Sequence, residues 1–303
     1  PKSCTYSCVY CQLGRTSNMT VERRAFYEPE KILLEVKKKM EEATRKGERI
    51  DYVTFVPDGE PTLDVNLGKE ISLSKGLGHP IAVITNASLL WREDVREDLS
   101  VADLVSVKVD AVSLDLWKRM NRPHEDLKLD EVLDGIKQFA KSFRGILISE
   151  TMLIDGVNYE DELEEIAEFL GSLAKLERAY IAVPTRPPAE EWVRPAKEET
   201  VNKAFQAFAK RLGSDKVKCL TGYEGSAFAC TGDVKEDLLS ITAVHPMREE
   251  AVRELLRRTN ASWQTVDELL RRGELTRLEY EGNIYYTRRP QDKGHNSDQR
   301  LAR

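Results

Sequence analysis

Three cysteines fall within eight residues near the start of the chain, in the run Cys4-Thr-Tyr-Ser-Cys8-Val-Tyr-Cys11. Only two others follow, Cys219 and Cys230. An odd total with three thiols in one short loop argues against a disulfide framework and for metal ligation. Three thiolates can bind three irons of a [4Fe–4S] cluster, and the fourth iron is then left without a protein ligand. An open coordination position suits catalysis rather than a purely structural site. A small molecule carrying an amine and a carboxylate could chelate that iron. The competing reading is a zinc site in which His79, His124 or His245 supplies a fourth ligand. No such ligand lies near the cysteines in sequence, which weakens it. Cys219 and Cys230 are too few for a second cluster and read as buried free thiols.

Other residues stand where their types are costly unless used. Lys108 and Asp110 lie two apart in a strand-like run and so share a face, where burial requires partners. They read either as an ion pair or as site residues. Glu150 is in the same position within another apolar run. Glu60, in Pro57-Asp58-Gly59-Glu60-Pro61-Thr62, reads as a helix-start carboxylate or as part of a ligand loop. Asn86 follows Ile84-Thr85 at a strand end. Arg186 sits in Pro184-Thr185-Arg186-Pro187-Pro188 and could hold a substrate anion or a structural ion pair. His124 and His245 each adjoin a proline and read as structural.

The elements that must position these residues alternate. Short apolar runs at 52–56, 81–85, 104–109, 146–152 and 179–183 predict strands buried on both faces. Amphipathic runs at 29–46, 129–143, 159–173 and 197–212 predict helices between and after them. Alternation of this kind implies a parallel α/β sheet with right-handed crossovers. Five strands do not close a small barrel, so a sixth is expected ahead of Cys4. The fold expected is a partial (β/α)6 barrel over 1–212 that lacks its first strand. A glycine-rich linker is expected over 213–234. From 235 to 290 two helices (247–258, and 262–272 capped by Ser262) precede a hairpin over 275–280 and 284–287, the pattern of a winged helix. The polar tail 291–303 is expected to be disordered.

The cysteine loop with Tyr10 before its third cysteine resembles the signature of the radical S-adenosylmethionine (SAM) superfamily. The wider stretch, ending Tyr10-Cys11-Gln12-Leu13-Gly14-Arg15-Thr16, resembles the Fe–S oxidoreductases related to wyosine-tRNA synthases. Gly59-Glu60-Pro61 resembles the family's next motif, although Asp58 stands where the motif usually has glycine. Asn86, Lys108-Val109-Asp110, Glu150 and Arg186 follow at successive strand ends, in family order.

The resemblance implies a [4Fe–4S] cluster on Cys4, Cys8 and Cys11. It implies SAM held by Tyr10, Gly59, Glu60, Pro61, Asn86, Lys108, Asp110 and Glu150, with Tyr10 against adenine. It also implies an electron donor, reductive cleavage of SAM to methionine and a 5′-deoxyadenosyl radical, and hydrogen abstraction from a substrate. By analogy that substrate is a macromolecule, RNA (tRNA) or polypeptide, contacted by Arg186.

Composition sets outer limits. The 303 residues carry 46 Lys and Arg against 52 Asp and Glu, a net charge of −6, so a strongly basic nucleic-acid binder is not indicated. The 235–290 segment is neutral, with ten basic and ten acidic residues. No run approaches the ~18 apolar residues of a membrane span, and no apolar leader opens the chain. A cytoplasmic protein whose sequence lacks an N-terminal piece is therefore expected. A non-enzymatic Fe–S sensor or nucleic-acid-binding regulator, its cluster gating the winged helix, is the main alternative; a zinc-stabilised interaction module is the other.

Overall fold

The computed structural model describes residues 2–222, 228 and 233–288. Two short strands, β1 (Ser3–Cys4) and β2 (Asn18–Met19), pair in parallel and bracket the cysteine loop. Helix α1 (Pro29–Arg45) then leads to β3 (Val53–Phe55). Next come α2 (Leu67–Lys75), β4 (Ile81–Thr85), α3 (Glu93–Ser100), β5 (Leu104–Lys108), α4 (Leu114–Asn121) and α5 (Leu129–Ser142). The unit continues through β6 (Ile146–Met152), α6 (Glu162–Ser172), β7 (Leu176–Ala182), α7 (Glu198–Leu212) and β8 (Val217–Leu220).

Strands β3 to β8 form one all-parallel six-stranded sheet in sequence order. The expectation of alternating strands and helices is met, and β4 and β6 have the bounds their apolar runs predict. The sheet holds one strand that was not expected: β8 lies inside the stretch read as a linker over 213–234. Only Val217 of β8 is buried, because β8 is an edge strand, so the apolar run that marks the inner strands is missing. Helices α2, α3 and α4 went unpredicted because, at eight or nine residues each, they show too little periodicity.

Alternation assigns the two faces of the sheet. Val83, Val105, Val107, Leu147, Ala179 and Ile181 are fully or almost fully buried beneath the helices. The inner face is not covered in the same way. Ile84 in β4 is 46% exposed and Ile146 in β6 is 43% exposed. Parallel sheets normally bury both faces; among the described residues this face is only partly covered.

Residues 234–288 form a separate hydrophobic core around Leu238, Met247, Val252, Leu256, Val266, Leu269 and Tyr286. Its elements are α8 (Val234–Val244), β9 (Met247–Arg248), α9 (Glu249–Thr259), α10 (Gln264–Arg271), β10 (Leu275–Tyr280) and β11 (Asn283–Arg288). β10, β11 and β9 make a small antiparallel sheet in that order. Helix α8 was not expected, and the first two residues of the predicted 247–258 helix are strand. The residue capping α10 is Trp263, not Ser262, and no side chain caps that helix. Cys230, Gly225, Gly232, Arg289 and the tail from 291 lie outside the described residues.

Among the described residues this unit meets the sheet unit at several places. Tyr280 and Tyr285 donate hydrogen bonds to the Pro184 and Thr185 carbonyls just past β7, at 3.0 and 2.8 Å. Arg258 pairs with Glu48 at 2.6 Å and Lys39 of α1 with Glu236 at 3.0 Å.

Helix α2 carries a buried carboxyl group, Glu70, whose Oε1 has no hydrogen-bond partner. Burial, helped by nearby Asp64, pushes its pKa from 4.5 up to about 7. A carboxyl raised in the folded state stabilises fully below its unfolded pKa, and this contribution is lost as pH rises through the folded one. The wild type should therefore lose stability relative to Glu70→Gln between about pH 4.5 and 7. Urea unfolding at intervals across that range tests this; parallel curves for the two proteins would contradict it.

Candidate active site

The cysteine loop has little regular structure, so its shape comes from hydrogen bonds to the ends of the sheet strands. Ser7 N and Val9 N donate to the Asn121 and Met120 carbonyls at the end of α4, at 3.0 and 2.9 Å. His124 N donates to Thr5 O at 2.9 Å, and the Thr5 and Ser88 hydroxyls meet at 2.6 Å. Glu60 N donates to Ser3 O at 3.1 Å. Gly59 is required there, since a Cβ on it would lie 1.8 Å from that carbonyl oxygen.

Glu60 is buried, and both of its carboxylate oxygens accept hydrogen bonds. Oε1 accepts from Thr62 N, Thr62 Oγ1 and Thr85 Oγ1, and Oε2 from Asn86 N at 2.7 Å. Burial raises its pKa, and these four donors oppose the rise. It also caps the short 3₁₀ turn Pro61–Leu63, as a helix-start carboxylate would. The side chain thus ties the β3 loop to the end of β4. Asn86, placed by this tie, donates to Thr5 Oγ1 at 2.7 Å and to Cys4 Sγ at 3.5 Å.

Lys108, Asp110, Glu150 and Tyr10 form one network, with Asp110 and Tyr10 buried and Lys108 and Glu150 partly buried. Lys108 Nζ lies 2.6 Å from Glu150 and 3.4 Å from Asp110, and 5.0 Å from the centre of the Tyr10 ring. Asp110 also accepts from the Tyr10 hydroxyl, from Asn121 Nδ2 at 2.7 Å and from Met152 N at 2.8 Å. Burial works against the Lys108 charge, but Asp110 and Glu150 outweigh it and hold the ammonium well above its ordinary range. The ion pair read as one alternative from the sequence is therefore present, and it lies beside the cysteines.

Arg186 is buried and donates to Gln12 at 3.3 Å, next to Cys11. Glu190 was missed by sequence reasoning. It accepts two bonds from Arg15 at 2.9 Å and one from Arg122 at 2.5 Å, and its own N–H donates to Val9 O. Arg15 lies 175 positions away in sequence, and a single carboxylate in a proline-rich loop carries no local signal. Cys219 was expected to be buried but is exposed, since it sits on the edge strand β8. His245 ends α8 and lies against Phe228.

The donor set can be tested against an iron–sulfur cluster. Burial, then Glu60, pushes the Cys4 pKa up to about 11; burial, then the neighbouring Cys11 and Cys4, pushes that of Cys8 to about 12. Close, buried thiols of this kind favour deprotonation only when a positive centre offsets their charge. Each sulfur also accepts an N–H: Cys4 from Asn86, Cys8 from Asn121 at 3.6 Å and Cys11 from Lys2 at 3.0 Å. Among the described residues no three His, Cys, Asp or Glu side chains converge on a single-ion site. A four-iron cluster takes one cysteine on each of three irons, which the spacing of Cys4, Cys8 and Cys11 allows. The residues fit a cluster.

Comparison with known proteins gives the family. The family model for the radical SAM superfamily matches residues 2–170, more than half of the chain. The chain belongs to the radical SAM superfamily. Its members use a [4Fe–4S] cluster and SAM, and the chain is a radical SAM enzyme. It is 46% identical to the UPF0026 protein of Methanocaldococcus jannaschii over 94% of this chain and 88% of that one. Among solved structures, a radical SAM methyltransferase from Sphaerobacter thermophilus aligns over 74% of this chain and 66% of its own, at 19% identity and TM-score 0.53. That likeness shows a shared fold. An archaeal TYW1 aligns over 69% of this chain and 71% of its own, at 17% identity and TM-score 0.47.

Replacing Lys108 by Met should expose the cost of the network. Removing one partner of a buried pair typically costs about 3–5 kcal/mol, against about 0–1 for a surface pair. Urea unfolding of the cluster-free protein should show a loss in the upper range. A loss below about 1 kcal/mol would mean the network is held by its neutral hydrogen bonds instead.

Proposed function

We propose that this enzyme binds SAM across the carboxyl ends of β3 to β6, with its cluster on Cys4, Cys8 and Cys11, and acts on a macromolecular substrate, RNA or polypeptide. The observation that carries the placement is the meeting of all three cysteines with Asn86, Lys108, Asp110, Glu150 and Tyr10 at one end of a parallel sheet. Ligands of open α/β sheets bind at that end. When bound, the cluster and SAM together supply reductive carbon–sulfur cleavage and a radical able to abstract hydrogen.

The chain's own residues have distinct parts in this reading. Most of the acceptor capacity of the Glu60 carboxylate is taken up in the tie between β3 and β4. The backbone it shapes, with Gly59 and Pro61, is the part left for SAM. Lys108 and Glu150 present charge at the rim, where they meet the polar parts of the cofactor. Tyr10, Asp110 and Asn121 form the buried floor beneath Cys8. Arg186 and Gln12 stand on the substrate side.

The partly covered inner face supports a large substrate. In register across the sheet, Lys108 faces Glu150, Glu150 faces Tyr180 and Tyr180 faces Lys218. Arg178 shares that face and is exposed, as is Lys218. Cations beside an aromatic ring suit an extended anionic partner. The 234–288 unit, read as a winged helix, holds the carbonyls of Pro184 and Thr185 and so borders the same mouth.

The test is anaerobic reconstitution followed by dithionite reduction with SAM and chromatography for 5′-deoxyadenosine. The wild type should form it, and Cys8→Ala, lacking one of three cluster ligands, should form none above the enzyme-free background. A wild type that assembles the cluster but neither binds nor cleaves SAM would overturn this reading in favour of an Fe–S sensor.

A further inference from the structure

We infer that Lys2 is a redox-positioning residue: its ammonium donates to the sulfur of Cys11 and raises the reduction potential of the cluster that Cys4, Cys8 and Cys11 hold. The inference rests on the cluster reading proposed above. It concerns a residue that does not ligate the cluster.

Among the described residues three side-chain N–H donors reach the three cysteine sulfurs, but they are not equivalent. Asn86 and Asn121 are neutral amides at 3.5 and 3.6 Å from Cys4 and Cys8. Lys2 is a cation at 3.0 Å from Cys11. Charge-assisted hydrogen bonds are roughly twice as strong as neutral ones. Hydrogen bonds to the sulfurs are among the factors that set cluster potentials. A positive donor stabilises the more negative, reduced state of the cluster more than the oxidised state, so the potential rises. The asymmetry singles out Cys11 among the ligands.

Lys2 is held where this effect needs it. Its Nζ also donates to Gly14 O at 2.7 Å, and its backbone carbonyl accepts from Asn18 N at 3.0 Å and Ser17 Oγ at 3.2 Å. Gly14 brings its carbonyl into range through a turn with φ of +76°, a conformation that favours glycine. Its N–H in turn donates to Cys11 O at 3.1 Å. The ammonium is therefore fixed at both ends of the cysteine loop and is only half exposed. A surface lysine free to swing into water would exert no such steady field.

The same contacts suggest a plainer role, a staple that closes the loop through Gly14. A staple affects cluster assembly and stability; it does not by itself set a potential. The test therefore reads potential. Wild type, Lys2→Met and Lys2→Arg are reconstituted anaerobically and titrated with reductant while reduced cluster is followed by electron paramagnetic resonance. At matched iron content, Lys2→Met should have a lower midpoint, by about the 59 mV that corresponds to a tenfold change in the reduction equilibrium. Lys2→Arg should recover most of it. An unchanged midpoint in Lys2→Met would overturn the inference and leave the staple.

A second measurement does not depend on any variant folding. Wild type labelled with ¹⁵N-lysine should show a weak nitrogen coupling to the reduced cluster in pulsed resonance spectra, as an N–H···S contact requires. Its absence would also overturn the inference. A wild type that assembles no four-iron cluster would overturn the proposed function, and the inference with it.

Discussion

Three thiols must be held side by side on a loop that has almost no secondary structure, and every other feature of the site follows from how that is done. The loop is laid across the carboxyl ends of the parallel strands and fastened residue by residue. Glu60 and Gly59 secure its start, the end of α4 secures Ser7 and Val9, and Glu190 grips it through Arg15, Arg122 and Val9. Backbone groups that would otherwise be buried without partners are satisfied in the same step. The sheet supplies rigidity, and the loop supplies the sulfurs.

Fastening of this kind explains why charged side chains are buried in strands that are otherwise apolar. Asp110 and Glu60 are buried, and each accepts several hydrogen bonds from the ends of neighbouring elements. Each joins loops that would otherwise move independently. Stability is not their evident purpose, because a buried ion pair is often no better than apolar packing. They hold the geometry of the strand ends, where we propose that the cofactors bind.

Much of this was legible in the sequence. The cysteine spacing, the Gly59-Glu60-Pro61 turn, and Lys108, Asp110 and Glu150 on apolar runs all point to the residues that meet in the structure. What sequence could not show was direction and distance. That the Glu60 carboxylate also ties two loops together could not be read, since only the fold brings Thr85 and Asn86 to it. Glu190 and Lys2 have ordinary neighbours in sequence and gain meaning only from Arg15 and Cys11. Strand β8 was unread because an edge strand buries one residue in four, and short α2 to α4 show too little periodicity. The partly covered inner face could not be inferred either, because Ile84 and Ile146 sit in runs that look fully buried.

The central claim is that three cysteines leave one iron of a cluster open for SAM. It is tested most directly by Mössbauer spectroscopy of ⁵⁷Fe-reconstituted protein with and without SAM. The account predicts a four-iron cluster in which one iron differs from the other three, and only that iron changes when SAM is added. A spectrum in which SAM perturbs no iron site would contradict it.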